Sequence, residues 1–279
     1  MKRMKNECKI IKAYPKTVFE SIGENYPDNL YLAQNKFFYK VAQDNGKGPS
    51  NHRYLSVLYW QMENQKNQKV QYASSKEYRD LLSVLNKRAI ELAELYPRYD
   101  GITYKPQTRL MLGIGGESPY NTILLMTLHQ TYGLPYIPAT AIKGCLRNYW
   151  EQEESKGLSI KKLLGADSEE KANLKGCLVF FDTFPEEYSL AFDSLTPHNA
   201  IYFEGKGKEA PSDMENKIPL YIPCVTKDSS FKIHIACTDD EEWEKNSSII
   251  MDSLKNALCE YGVGAKTSFG YGLASNKFE

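Results

Sequence analysis

The stretch that most constrains this chain is a glycine-rich segment near its C-terminus, residues 262–272, with the sequence GVGAKTSFGYG. Two Gly-x-Gly pairs flank five residues that include a cation, two hydroxyls and an aromatic ring. Glycines at alternate positions allow positive φ angles and a close approach of the backbone to another group. The pattern fits either a tight, closely packed connection or a loop whose N–H groups point at one anion, as in phosphate-binding nests.

We favour the phosphate-facing interpretation because polar residues fill the space between the two glycine pairs. Lys266 supplies a positive charge there, and Thr267 and Ser268 supply hydroxyl donors. The predicted binding residues of this loop are Gly262, Gly264, Lys266, Thr267, Ser268, Phe269, Gly270 and Gly272.

The elements that flank the loop argue against a nucleotide-binding enzyme. Residues 243–261 predict a helix before the loop, and residues 271–274 predict a short strand after it. Dinucleotide and P-loop fingerprints require the opposite order, in which a strand precedes the glycine loop and a helix follows it. The sequence therefore disfavours a Rossmann or Walker site, and we expect no cofactor.

The charge balance limits the kind of nucleic-acid contact that the chain can make. Lys plus Arg and Asp plus Glu both total 35, so the formal net charge at pH 7 is zero. Any contact with a polyanion must then come from a local basic face rather than from the charge of the whole protein. The length of 279 residues, with 42% hydrophobic residues, is enough for one elaborated globular domain or two smaller ones.

The cysteines and the N-terminus bear on metal sites and localisation. The 6 cysteines are scattered, without a C-x-x-C pair or a histidine at zinc-ligand spacing, so we expect reduced thiols and no metal. Residues 1–7 lack the apolar core of a signal peptide, and no apolar run reaches the length of about 18 residues that a membrane span needs. These features predict a cytoplasmic protein that does not contact a membrane.

Apolar periodicity predicts helices over residues 28–41 and 78–96, and more weakly over residues 52–62. Residues 104–113 predict a strand that enters a turn, which suggests a boundary near residue 98. We therefore predict a mainly helical N-terminal region, 1–98, packed on a second domain, 99–279. Further predicted strands in that domain are 176–182, buried on both faces, 198–203, and 231–235, with one wet face; a polar excursion follows residue 204.

A second candidate binding feature is the helix predicted to begin at Thr140, which is a good N-cap residue. Lys143 and Arg147 are four residues apart and share one face of that helix. Unpaired N–H groups at a helix start, together with Lys143 in the first turn, would form an anion site. Arg109, on the strand predicted over 104–113, is a further candidate; the alternative for it is a salt bridge at the strand end.

Two segments together resemble the RAMP superfamily of CRISPR proteins. The first is IPATAIKGCLR, residues 137–147, in which Ala139 and Thr140 stand where the family usually has Gly and Ser. The second is the glycine-rich segment, which in the family precedes the last strand. The residues around Leu128–Tyr136 are most similar to the family of sixth subunits of the type III-B Cmr effector complex. The resemblance covers roughly residues 104–275.

The resemblance implies an α+β fold with a ferredoxin-like (RRM-like) βαββαβ domain, here interrupted by an insertion around residues 185–217. It implies a non-catalytic, guide-RNA-binding structural subunit in antiviral defence, with no catalytic or metal-binding residues. Expected partners are CRISPR guide RNA, target RNA and other Cmr subunits: the backbone RAMP subunits, the small helical subunit and the neighbouring RAMP cap subunit.

The alternative function is an endoribonuclease that processes CRISPR RNA, because some RAMP relatives cleave RNA by acid–base catalysis. General acid–base chemistry near neutral pH favours histidine. The groups that would serve are His52, His129, His198 and Tyr132, although their spacing in the sequence does not pair any two of them.

Overall fold

The computed structural model describes residues 9–11, 38–43, 51–56, 76–113, 115–117, 124–152, 157–166, 175–195, 210, 220–276 and 278. The chain divides into two compact units, each made of discontinuous segments. The first unit comprises Met1–Gln68, Ile114–Met126 and Ala191–Cys224, and the second comprises Lys69–Gly113, Thr127–Leu190 and Val225–Glu279. This division differs from the predicted boundary at residue 98, because the helix before that residue belongs to the second unit.

The elements of the described residues alternate between short strands and a few long helices. In chain order they are β1 Lys9–Ile11, β2 Phe38–Gln43, β3 Asn51–Ser56, α1 Lys76–Ala93, β4 Arg98–Tyr104, β5 Gly115–Glu117, β6 Leu124–Leu125, α2 Ala139–Gln152, α3 Ile160–Leu164, β7 Leu178–Phe180, β8 Pro185–Glu187, β9 Leu190–Leu195, β10 Leu220–Val225, β11 Ser230–Cys237, α4 Asp240–Glu260 and a 3₁₀ turn at Thr267–Phe269.

The second unit is organised around an antiparallel sheet in which β11 lies between β4 and β7, and β8 also pairs with β11. The C-terminal segment runs along the extension of β4. There Pro106 bridges Ala274, and the N–H of Gln107 donates to the carbonyl of Leu273 at 2.8 Å. The glycine-rich loop thus connects α4 to a segment beside the end of β4.

Three long helices cover this sheet. Helix α2 packs against α4 and β7, and α1 packs against β8 and β11. Periodic apolar side chains drive this packing, since Ile142 and Leu146 of α2 and Ile250 and Leu254 of α4 are fully buried. Helix α4 begins after an N-cap, Asp239, whose carboxylate accepts the N–H of Glu242 at 3.0 Å.

The first unit contains small sheets. Strands β1, β2 and β3 form an antiparallel sheet in that order, β5 pairs with β6 in antiparallel orientation, and β9 pairs with β10. The predictions of helix for residues 38–41 and 52–56 are therefore wrong. Aromatic and β-branched residues in FYKVAQ, residues 38–43, suit a strand, and the facing strand β3 supplies their partners.

Two strands of the second unit also differ from the sequence prediction. The strand predicted from residue 104 instead ends there, because residues 98–104 pair along β11. The prediction of one wet face for residues 231–235 is wrong, since His234 is buried along with Phe231, Ile233 and Ile235, and only Lys232 is exposed. Helix α1 packs on β11. The strand predicted over 198–203 lies outside the described residues.

Candidate nucleic-acid interface

The base of the glycine-rich loop, which we define as Gly262–Gly264 and Gly272, is fastened to the segment that follows β4. The N–H of Gly272 donates to the carbonyl of Arg109 at 2.9 Å, and the N–H of Ala265 donates to that of Met111 at 2.7 Å. Within the base, the N–H of Val263 donates to the carbonyl of Gly272 at 3.1 Å. These bonds hold the two ends of the loop side by side.

The three glycines of the base are required by close packing. A Cβ added to Gly272 would overlap the carbonyl of Val263, and one added to Gly264 would overlap the carbonyl of Met111. A Cβ on Gly262 would meet the carbonyl oxygen of Gly272 at 3.0 Å. All three have positive φ angles, of 71°, 101° and 70° along the chain. The packing interpretation therefore explains this half of the glycine pattern.

A buried tyrosine attaches the base to the sheet. The hydroxyl of Tyr104, at the end of β4, donates to the carbonyl of Gly272 at 2.8 Å, and the side chain is fully buried. Burial raises the pKa of this phenol far above its usual value, so it stays protonated and remains a donor.

The tip of the loop, Lys266–Gly270, has different surroundings. Lys266 has a left-handed backbone with φ 56°, and the 3₁₀ turn Thr267–Phe269 follows it. Gly270 also has a positive φ of 87°, but a Cβ added there would meet nothing within 4 Å. Phe269 is 77% exposed, and the Lys266 ammonium lies 5.3 Å from the centre of its ring. The tip thus presents a cation and an aromatic ring to solvent.

The tip also presents backbone donors. Within the described part of the chain, the N–H groups of Lys266, Thr267 and Ser268 have no acceptor, whereas those of Phe269 and Gly270 bond inside the turn. Consecutive unsatisfied N–H groups beside a lysine are the features that bind an anionic oxygen. Lys266, Thr267, Ser268, Phe269 and Gly270 therefore lie together at the tip, whereas the other predicted glycines belong to the base.

Arg109 lies directly beside the loop base, since its carbonyl accepts the Gly272 N–H. Its side chain is exposed. The sequence prediction placed it on a strand, whereas it follows β4 in a segment with isolated bridges at Pro106 and Leu110. The structure thus brings Arg109 and the loop together.

The start of α2 is less open to an anion than predicted. The helix begins at Ala139, so the exposed Thr140 lies inside the first turn rather than at the N-cap. The Ala139 N–H donates to a carboxylate oxygen of Asp182 at 2.8 Å, and Asp182 follows β7. An acidic side chain already occupies part of this helix start, and its charge would repel a phosphate.

Lys143 and Arg147 are spaced to lie on one face of α2, but their side chains have different surroundings. The Arg147 guanidinium donates to the carbonyl of Gly165 at 3.0 Å, just after the end of α3, and pairs with Glu151 at 3.7 Å. It satisfies carbonyls that α3 leaves without partners. Lys143 is half-buried, and its side chain makes no hydrogen bond or ion pair with a described residue. Arg147 is thus bound within the fold, whereas no described residue occupies the side chain of Lys143.

Helix α2 touches the start of the loop through Cys145. Its thiol donates to the carbonyl of Gly262 at 3.2 Å, and burial raises its pKa to about 12, so it stays a neutral thiol. Lys143 is two residues earlier, which is about 160° away around the helix. The structure therefore brings the helix and the loop together at Cys145, and Lys143 lies on a different side of the helix from this contact.

The sequence matches the RAMP superfamily over residues 105–275, a range that contains α2, the sheet strands β7 and β11, α4 and the glycine-rich loop. The chain belongs to the RAMP superfamily. The range agrees with the resemblance found in the sequence, and that prediction is confirmed.

Two curated relatives of this RAMP protein are subunits of CRISPR systems. The CRISPR system Cmr subunit Cmr6 of Pyrococcus furiosus is 30% identical, in a match that covers 61% of this chain and 65% of that protein. The CRISPR system CMR subunit Cmr6 of Saccharolobus solfataricus is 27% identical, in a match that covers 63% of this chain and 58% of that protein. The chain thus matches about three fifths of the length of these relatives.

One solved structure supports the fold of the RAMP protein. A chain in the structure of the Type III-B Cmr-beta bound to cognate target RNA has a TM-score of 0.53 and 23% identity, over 77% of this chain and 69% of that chain. At this identity the likeness concerns the fold. Together with the helices and antiparallel strands described above, it agrees with the predicted α+β class.

The RAMP protein also has a cluster of aromatic rings upstream of α2, which sequence analysis did not recognise. His129 stacks on Tyr132 with ring centroids 4.5 Å apart, and its ring is 5.4 Å from that of Tyr136 and 5.5 Å from that of Phe184. The His129 Nδ1 accepts the N–H of Tyr132 at 3.4 Å. The run of rings at 129–136 was a signal that could have indicated the cluster. The contribution of Phe184 could not be seen, because this residue is distant in the sequence.

The remaining histidines do not join this cluster in the described part of the RAMP protein. His234 is buried on β11, where burial first and Lys232 second lower its pKa. His198 and the side chain of His52 lie outside the described residues. The described residues also contain no group of three His, Cys, Asp or Glu side chains that would hold a metal ion, and none of their helices is long and apolar enough to cross a membrane.

Proposed function

We propose that this RAMP protein is a non-catalytic, guide-RNA-binding structural subunit of a type III-B CRISPR effector complex, acting in the cytoplasm in defence against foreign RNA. The observation that carries the proposal is the loop tip. Lys266, three N–H groups that have no acceptor among the described residues, and the exposed Phe269 lie together there. A cation, backbone donors and a ring are what a single nucleic-acid strand requires of a protein.

The relatives support the complex in which this subunit would act. Both curated relatives are named as Cmr subunits, and the solved structure with the similar fold is of a Cmr-beta particle with target RNA. We propose as partners of the chain guide RNA, target RNA and the other Cmr subunits, which include the backbone RAMP subunits, the small helical subunit and the neighbouring cap subunit.

We further propose that the second unit has a ferredoxin-like, RRM-like arrangement. In its favour, the chain order β4, α2, β7, β11, α4 and C-terminal segment follows βαββαβ when that segment is taken as the last strand. The order of the strands across the sheet supports the same topology. The C-terminal segment lies beside the extension of β4, β4 pairs with β11, and β11 pairs with β7.

In the proposed binding surface the residues have unequal roles. Lys266 and the tip amides hold a phosphate, Thr267 and Ser268 add hydroxyls, and Arg109 extends the positive surface beside the base. Lys143 serves a second phosphate beyond the start of α2. Arg147, Gly262, Gly264 and Gly272 act through the fold, because their contacts are within the protein.

The test of this proposal is the salt dependence of RNA binding. In Lys266→Ala and Lys143→Ala, we expect weaker binding of a labelled single-stranded RNA by the full chain, with the slope of log K against log salt reduced by roughly 0.7 for each lysine that contacts a phosphate. Fluorescence anisotropy over a salt series measures both quantities, and the same variants are compared in particles assembled on guide RNA.

Lys245→Ala is the matched control, since Lys245 is exposed on α4. It lies 15 residues before the end of that helix, which corresponds to roughly 22 Å along the axis. The control removes the same charge from the element that leads into the loop. If neither Lys266→Ala nor Lys143→Ala changes affinity or slope more than Lys245→Ala does, the proposed RNA-binding role is rejected.

The second candidate function is an endoribonuclease, which the stacked pair of His129 and Tyr132 favours. A half-exposed histidine beside a phenol would supply acid–base groups without a metal. The assay is cleavage of a labelled guide precursor in EDTA. Cleavage by the wild-type chain that is lost in both His129→Ala and Tyr132→Phe would show that the chain is a nuclease rather than a structural subunit. If the wild-type chain leaves the precursor intact, the nuclease function is rejected.

A further inference from the structure

Phe269 is the one residue at the loop tip whose exposure the fold does not explain. It is 77% exposed, and its neighbours in the chain are Ser268 and Gly270. The other large apolar side chains that the described residues leave exposed are in or next to α1 and β4: Val84, Leu92, Leu95 and Tyr99. A phenylalanine so exposed contributes little to the core, and its ring is open to a partner outside the chain.

The backbone under this ring is strained. Lys266 is the one non-glycine residue with positive φ in the described part of the chain. A left-handed conformation costs an L-amino acid about 1 kcal/mol. The Lys266 ammonium lies 5.3 Å from the centre of the Phe269 ring, so that one cation and one ring form a unit. Strain that persists in an exposed turn points to a function of the strained residue.

The chemistry of the tip distinguishes between two kinds of partner. A protein partner that buried Phe269 would require an apolar surface around the ring, but the tip sequence surrounds it with Lys266, Thr267, Ser268 and Gly270. An isolated ring beside a cation and hydroxyls instead matches a nucleotide, whose base stacks on the ring while its phosphate meets the cation. Gly270 has open space on its side of the turn, so it leaves room for that ligand.

We infer that Phe269 is a stacking platform for one unpaired base of the bound RNA. This inference rests on the proposed RNA-binding function and adds a preference for single strands. A base within a duplex is stacked on its neighbours and cannot lie on a ring that projects from a loop. Because every base has a π face, the contact tolerates any sequence. Phe269 would therefore select the state of the RNA strand rather than its sequence.

The experiment compares Phe269→Ala, Phe269→Leu and Phe269→Trp in the full chain. We expect about a tenfold loss of affinity for single-stranded RNA in Phe269→Ala and in Phe269→Leu, retention in Phe269→Trp, and no change for an RNA duplex of the same length. The slope of affinity against salt stays at the wild-type value in all three variants, because no charge is removed.

Phe269→Trp also gives a direct signal. The wild type and this variant share Trp60, Trp150 and Trp243, so the difference between their emission spectra reports on position 269. Single-stranded RNA with bases is expected to quench this added emission, and an abasic strand of equal length is not. The abasic strand also binds wild type and Phe269→Ala with equal affinity, since it offers no base to stack.

The outcomes separate this inference from the function on which it rests. If Lys266→Ala weakens RNA binding and Phe269→Ala does not, the platform is wrong and the phosphate-binding role stands. If Phe269→Ala leaves RNA affinity unchanged but prevents the chain from joining a particle, the ring contacts a protein subunit and the inference is overturned. If the wild-type chain and the lysine variants bind RNA equally weakly, both proposals fail.

Discussion

The base and the tip of the glycine-rich loop contain the same residue type in different surroundings. At the base, Gly264 and Gly272 have carbonyl oxygens where a side chain would begin, and the N–H groups of Gly272 and the adjacent Ala265 donate to carbonyls of the neighbouring segment. At the tip, Gly270 has open space and Lys266 adopts a left-handed conformation without being glycine. One half of the loop is tightly packed and the other half is directed outward.

This difference shows that a glycine pattern alone does not distinguish packing from ligand binding. Both interpretations of the loop apply, but to different residues. The packed base restrains the chain on both sides of the tip, and a restrained loop binds with less loss of conformational freedom. Mutations at the base should therefore alter stability first, and mutations at the tip should alter RNA binding first.

The largest expected effect is that of Gly272→Ala. The added Cβ would overlap the carbonyl of Val263 in a backbone with φ 70°, so we expect a loss of about 2–4 kcal/mol in the free energy of unfolding. Urea denaturation measures it. Gly270→Ala is the matched control, because its φ is also positive but its Cβ meets open space, and we expect about 1 kcal/mol there. Equal losses in the two variants would contradict the division into base and tip.

A smaller effect is expected from Tyr104→Phe, which removes the hydroxyl that holds the base. The carbonyl of Gly272 keeps the N–H of Val263 as a donor, so no acceptor is left without a partner. We expect a loss of about 1 kcal/mol in the free energy of unfolding, and an unchanged salt dependence of RNA binding. Thermal denaturation and the anisotropy series test the two statements. A change in the salt slope would show that the base itself takes part in binding.

The long helices and the location of the loop were predictable from sequence because they depend on local signals. Apolar periodicity predicted helices over residues 78–96 and 243–261, and the structure has them at Lys76–Ala93 and Asp240–Glu260. The strand β4 was misplaced, because its first residues, RYDG, are polar or glycine and carry no alternating apolar pattern. Its strand conformation comes from pairing with β11, more than a hundred residues later.

The roles within the candidate site were predictable only in part. Helical spacing placed Lys143 and Arg147 on one face, but it did not show that Gly165 would accept the Arg147 guanidinium. It likewise did not show that Asp182 would occupy the start of α2. Both partners come from other elements, so tertiary structure decides which cation is available. The RNA-binding roles of Lys143 and of the tip residues stay predictions.

The smallest expected change in stability separates the backbone of the tip from its charge. Lys266→Gly removes the ammonium and relieves the left-handed strain, whereas Lys266→Ala removes the ammonium and keeps the strain. We expect the glycine variant to be more stable than the alanine variant by up to about 1 kcal/mol, with equal losses of RNA affinity in the two. Calorimetry and anisotropy measure the two quantities. If the glycine variant binds RNA as the wild type does, the backbone amides bind the phosphate without the lysine. If it binds more weakly than the alanine variant, the strained backbone itself holds the tip in its binding conformation.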